Sequence, residues 1–310
     1  PLIYALFRAV LDAGEKVVYP VPSWNNNHYC HLAGAVGVAV ETSAATGFQP
    51  TAGCLAPHLA DARLLALNSP LNPAGTGFAR EQLKAIAQLV VDENRRRGPA
   101  AKPLFLLYDQ IYWLLADDSA PHITPVELVP EVAPYTLMID GISKAFAATG
   151  LRVGWAIGPP FLISRMKDFL GHVGAWAPRP EQVATAELFA DPALVHALSG
   201  AVREGVNLRL AALDRGLTRL AEKGYPVKHL PPTGALYLSV HFDLIATGGR
   251  FENNRAIRQY LLEQAGHAKQ VRALRVYAES ARHFAALDPG VKSLVPELAE
   301  ASRRDATWKL

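Results

Sequence analysis

The chain has 310 residues, half of them apolar, with 31 Lys and Arg against 28 Asp and Glu for a formal net charge of +3. That length and apolar share suffice for one large domain and a smaller one, and a charge so near balance gives no reason to expect a nucleic-acid partner. No apolar run reaches the roughly 18 residues of a membrane span and no charged-then-apolar leader opens the chain, so no membrane association is expected and the default location is cytoplasmic. Cys30 and Cys54 are the only cysteines, too few for a disulfide framework and suited to a reducing compartment. His28, Cys30 and His31 are too crowded to share a tetrahedral ion and lack a second pair, so no metal site is expected.

Residues 2–11 place Leu2, Ile3, Leu6, Phe7 and Val10 at helical spacing, with Gly14 as a stop. A strand-like run over 16–20 (KVVYP) leads into PSWNNNHY at 22–29, and a second run covers 36–41. Residues 64–68 read as a strand leading into NSPLNPAG at 68–75, where the prolines and Gly75 fix a turn that an ordinary loop would not hold. An amphipathic segment over 81–94 predicts a helix, and Arg95, Arg96 and Arg97 close it where cations complement the helix dipole. A strand over 103–109 leads into YDQIY at 108–112, and one over 136–139 leads into DGISKAFAATGLRVGW at 140–155, in which Arg152 follows Lys144 by eight residues.

A further strand is expected at 153–157, a long helix at 192–223, strands at 227–230 and 235–240 about a turn at 231–234, and a helix near 254–264. The early alternation reads as βαβ units around a mostly parallel sheet. The later change of pattern suggests a domain boundary inside or at the end of the long helix. Trp24, Asn72, Asp109 and Lys144 each follow a strand-like run, and open parallel sheets bind ligands outside the carboxyl ends of their strands.

The stretch 140–155 resembles the cofactor-lysine signature of the fold-type-I pyridoxal phosphate enzymes of the class I/II aminotransferase family, and three further motifs match in the family's order. The resemblance implies that Lys144 carries pyridoxal 5'-phosphate as a Schiff base and is the catalytic residue, with Arg152 neutralising the phosphate. Asn72, in a loop similar to NPxNPTG with Ala74 for threonine, would bond the phenolic oxygen together with Tyr112. Asp109 would keep the pyridine nitrogen protonated, since a nearby carboxylate favours the charged form of a base, and Trp24 would stack on the ring. The fold implied is α/β: a three-layer α/β/α large domain with a mostly parallel sheet over 1–205, and a smaller α/β domain over 206–310, in the aspartate aminotransferase-like arrangement. The activity implied is transfer of an amino group between an amino acid and a 2-oxo acid, by a homodimer.

The sequence departs from the family in three places. Gly141 stands where a Ser or Thr usually bonds the phosphate, and Ser143 is expected to take over. The chain opens at Pro1 directly on a helix that the family precedes with a phosphate loop, so a fragment is expected, with weak cofactor binding and impaired turnover. The tail over 267–310 does not follow the family's closing strands, and no arginine for the substrate carboxylate is assigned; Arg275 comes too soon to take that role. A lyase or synthase on the same scaffold, or a catalytically impaired pyridoxal-phosphate-binding module, is the alternative reading.

Overall fold

The computed structural model describes residues 1–243, 251–253 and 255–257. Its first compact unit comprises Pro1–Glu204 together with Thr233–Ala235. At its centre is a six-stranded sheet in the order β2-β1-β3-β4-β5-β6, formed by β1 (Lys16–Val21), β2 (Val36–Glu41), β3 (Ala62–Asn68), β4 (Phe105–Asp109), β5 (Thr136–Gly141) and β6 (Gly154–Ile157). The first five strands are parallel, and β6 runs antiparallel to β5.

Both faces of the sheet are covered, which is why its central strands read as unbroken apolar runs. Side chains alternate between faces with a period of two. Leu64, Ala66, Phe105, Leu107, Leu137 and Ile139 point to the layer of α1 (Leu2–Val10), α2 (Asn26–Ala33) and α6 (Pro160–His172). Leu65, Leu67, Leu104, Leu106 and Tyr108 pack under α3 (Ala52–Leu55), α4 (Arg80–Arg97) and α5 (Pro125–Leu128).

Helix α4 is pinned by more than its dipole. Asn94 Nδ2 donates to the carbonyls of Val90 and Leu104, both at 2.9 Å, and Asn94 Oδ1 accepts from Leu104 N–H at 2.8 Å. Arg97 donates to the carbonyls of Leu59 at 2.6 Å and Ala62 at 2.7 Å and pairs with Glu93. Charge at this helix end therefore serves the packing of α4 on the sheet as well as complementing the dipole.

Helices α2, α3, α5 and α6, and α7 (Arg179–Ala190), have no named counterpart in the sequence reading. A long helix, α8 (Pro192–Glu222), follows, and the second unit begins within it at Gly205. Among the described residues of that unit, Leu210, Leu213, Leu217 and Leu220 line one face of α8 and pack with Val227 and Leu238. Strands β7 (Val227–His229) and β8 (Val240–Phe242) form an antiparallel pair.

The strand expected at 235–240 is displaced to β8. Ala235 takes φ 59°, a left-handed conformation that breaks an extended run, and Thr233–Ala235 turns back into the first unit. The helix expected near 254–264 lies outside the described residues except for 255–257, as do the 267–310 tail and Arg275. No helix among the described residues is long and apolar enough to cross a membrane.

Candidate active site

The strand order sets the site. Strand β1 lies between β2 and β3, so the chain leaves β1 toward one edge of the sheet and returns on its other side. That reversal opens a crevice at the carboxyl ends of β1 and β3. Trp24 lies three residues past the end of β1, Asn72 four past β3, Asp109 is the last residue of β4, and Lys144 lies three past β5. These four strands are consecutive neighbours in the sheet, so all four residues gather at one edge of it.

Asp109 is the electrostatic centre of this edge. Its Oδ1 accepts the Ile111 N–H at 3.1 Å, while burial raises its pKa to about 6 against the opposing pull of the Lys144 ammonium. Lys144 Nζ stands 6.0 Å from the centroid of the Tyr112 ring, at the outer reach of a cation–π contact. Tyr112 is buried and stands at the start of a short 3-10 turn, Trp113–Leu115.

Asn72 joins the group through Asn68. Asn68 Oδ1 accepts the Asn72 N–H at 2.7 Å, and Asn68 Nδ2 donates at 2.9 Å to the carbonyl of Asp109, which also accepts the Ser69 N–H at 3.0 Å. The loop is thus tied to the strand end that carries the carboxylate. Asn68 is the first asparagine of NSPLNPAG, and its work as a tie was not read from the sequence.

The other assigned residues have their described contacts outside this group. Ser143 is half-buried, and its carbonyl accepts the Thr149 hydroxyl at 3.0 Å. Arg152 has φ 61° and donates to the Thr149 carbonyl at 2.7 Å. Among the described residues, it forms no ion pair with a carboxylate. The Arg152 charge lies within electrostatic reach of Pro1. Trp24 is 51% exposed in the bend between β1 and α2 and makes no ring contact among the described residues.

The glycine at 141 has a steric cause. A Cβ there would lie 2.7 Å from the Val153 carbonyl oxygen and 3.0 Å from Gly154 Cα. The tight pairing of Gly141 with Gly154 between β5 and β6 therefore leaves no room for a hydroxyl-bearing side chain.

One buried and two half-buried polar groups near the site were not identified in the sequence. Asp140 is 5% exposed and accepts from the Gly141 N–H at 2.7 Å and from the Trp113 side chain; burial, reinforced by the charge of Asp109, pushes its pKa up to about 7. The Tyr29 hydroxyl is held above its usual range by burial and then by Asp109. His122 is pushed down to about 4 by burial, with Nε2 3.3 Å from Gln110 Oε1 and its ring against Tyr108 and Trp113. A polar residue closing the apolar run TLMID is the one signal that could have singled out Asp140. Among the described residues, no three His, Cys, Asp or Glu side chains gather as a metal site.

The family profile "Aminotransferase class I and II" matches residues 1–283. An aspartate aminotransferase of Bacillus sp. (strain YM-2) is 29% identical over 239 residues, covering 76% of this chain and 57% of that protein. An aspartate/prephenate aminotransferase of Thermus thermophilus is 31% identical over 249 residues, covering 79% of this chain and 59% of that protein. Among solved structures, Thermus thermophilus aspartate aminotransferase with maleate superposes with a TM-score of 0.75 at 30% identity, covering 89% of this chain and 66% of that one. The aspartate aminotransferase of Rhizobium meliloti does so with a TM-score of 0.73 at 25% identity, over 85% of this chain and 64% of that one. The chain spans less than three-fifths of the length of these two curated relatives.

Proposed function

The chain belongs to the class I and II aminotransferase family, and from that premise we propose that it is built to bind pyridoxal 5'-phosphate and to move an amino group between an amino acid and a 2-oxo acid. The observation that carries this reading is a lysine amine at one strand end within electrostatic reach of a carboxylate, at a neighbouring strand end, that burial holds short of full ionisation. Asp109, with its pKa raised to about 6 by burial, would be relieved by a cation, and a protonated pyridine nitrogen is one.

The chemistry pyridoxal phosphate supplies when bound is an aldehyde that accepts an amino group and a protonated ring that draws electrons from the bonds around it. Lys144 would hold it covalently through Nζ and, once displaced by the substrate amine, carry the proton to and from the substrate Cα. Asp109 would keep the proton on the pyridine nitrogen. Arg152 offers the positive charge that a phosphate needs. Asn72 and Tyr112 would hydrogen-bond the phenolic oxygen, Ser143 would add a phosphate contact, and Trp24 would cover one face of the ring.

The relatives' names make aspartate the first amino donor to try. A homodimer remains the family-based expectation, and exposed Phe161, Val173 and Trp176 offer apolar surface for it.

Borohydride reduction in the presence of pyridoxal phosphate, followed by peptide mass mapping, tests the reading. The expected result is a single pyridoxyl adduct on Lys144, absent from Lys144→Ala. Adduct on one different lysine in that variant, or no saturable binding at all, would remove the assignment.

A further inference from the structure

The loop that carries Asn72 is held by a segment far away in sequence. Gly75 N–H donates to the Leu71 carbonyl and Leu71 N–H to the Thr76 carbonyl, both at 2.8 Å, which closes the loop on itself. Into this loop comes the turn at Thr233 and Gly234. The Gly75 carbonyl accepts both the Thr233 N–H at 2.8 Å and the Gly234 N–H at 3.1 Å. Thr233 Oγ1 accepts the Gly77 N–H at 2.9 Å across 156 positions of sequence, and the Thr233 carbonyl accepts the Asp117 N–H at 3.0 Å.

Gly234 fits because it has no side chain. A Cβ there would lie 2.8 Å from Pro70 Cγ, 3.0 Å from Pro70 Cβ and 3.2 Å from Ala116 Cα. Both limbs of the loop are therefore gripped, the limb before Asn72 at Pro70 and the limb after it at Gly75 and Gly77. The left-handed Ala235, fully buried, turns the chain away immediately afterwards.

We infer that Thr233 and Gly234 are positioning residues for Asn72. They fix where its loop stands at the strand ends and act through the loop, without touching the cofactor. The inference rests on the reading above for what Asn72 meets. A turn that only stabilised the fold would leave the loop's local opening and its cofactor contact unchanged, and that contrast makes the two roles separable.

The test uses Thr233→Val, which keeps shape and removes the acceptor for Gly77 N–H, with Thr233→Ser as the rescue. Hydrogen–deuterium exchange of peptides covering residues 69–78 is measured on the chain without cofactor, because protection there reports local opening. Pyridoxal phosphate affinity is measured by quenching of tryptophan fluorescence, for Thr233→Val, Asn72→Ala and the double variant.

In Thr233→Val, exchange in 69–78 should rise about tenfold and affinity fall about five- to tenfold, as expected for a lost hydrogen bond; Thr233→Ser should restore both. In the Asn72→Ala background, the same change should cost less than about twofold, because residues acting as one unit are not additive. Unchanged exchange, or full additivity of the two substitutions, overturns the inference. If Thr233→Val does not fold, Gly234→Ala, which displaces Pro70, is read in the same way. Failure of the unsubstituted chain to bind pyridoxal phosphate would count against the proposed function alone, since the exchange measurement still decides whether the turn holds the loop.

Discussion

At the scale of single residues, burial pushes up the pKa of two carboxyls near the strand ends that sit in different surroundings. Asp109 ends β4 with Lys144 in electrostatic reach, whereas Asp140 has two hydrogen-bond donors and the charge of Asp109 for a neighbour. A folded-state pKa raised to about 7, against about 3.9 in an unfolded chain, means that the native state keeps a proton that the unfolded state has lost. Stability from Asp140 is then intact below about pH 4 and declines as pH rises toward 7, by an upper bound of roughly 4 kcal/mol. Asp140→Asn preserves the shape and removes the titration. It should leave stability at pH 4 unchanged and raise it at pH 8 by a few kcal/mol, read as denaturant midpoints across pH. Parallel curves for the two proteins between pH 4 and 8 would show that Asp140 is not the group responsible.

At the scale of elements, the strand ends hold the site because α4 and its neighbours hold the strands. Asn94 is the plainest case: one buried side chain meets both the N–H and the carbonyl of Leu104, directly before β4. Asn94→Leu would leave both groups without partners in a dry interior, at about 1–3 kcal/mol for each unsatisfied group, and a drop in thermal midpoint of several degrees is the expected result. A midpoint within a degree of the unsubstituted protein would mean that water reaches Leu104 and replaces the amide.

The same elements explain what was legible in the sequence. Strands buried on both faces announce themselves as apolar runs, so β4 and β5 fall within two residues of their expected bounds; β2, a largely exposed edge strand, coincides with its own through its β-branched valines. Helix α7 buries no side chain, which leaves periodicity nothing to report. Residues 235–240 have strand composition, yet a left-handed Ala235 redirects them. Motif reading brought Asn72, Asp109, Tyr112 and Lys144 forward but passed over Asn68, Tyr29 and Asp140. Their placement depends on contacts across strands and between layers, which spacing along one strand does not encode.

At the scale of the whole molecule, every residue assigned to the cofactor lies within Pro1–Glu204, and the turn inferred to position Asn72 belongs to the same unit. Ligand binding there should therefore stabilise the fold by mass action, since a group that binds only the native state adds about 2.7 kcal/mol at a hundredfold excess over its dissociation constant. For a unit of this size, each kcal/mol moves the thermal midpoint by about 2–4 °C, so saturating pyridoxal phosphate should raise it by roughly 5–10 °C. Arg152 forms no ion pair with a carboxylate among the described residues and has the Thr149 carbonyl as its hydrogen-bond partner there, so its charge remains available to an anion. Arg152→Gln should weaken binding about tenfold or more, the worth of one charged hydrogen bond, and shrink the shift at fixed ligand concentration. Pyridoxal, which lacks the phosphate, should affect the two proteins equally. An identical shift with pyridoxal phosphate in the variant and the unsubstituted chain would place the phosphate elsewhere and detach Arg152 from the site.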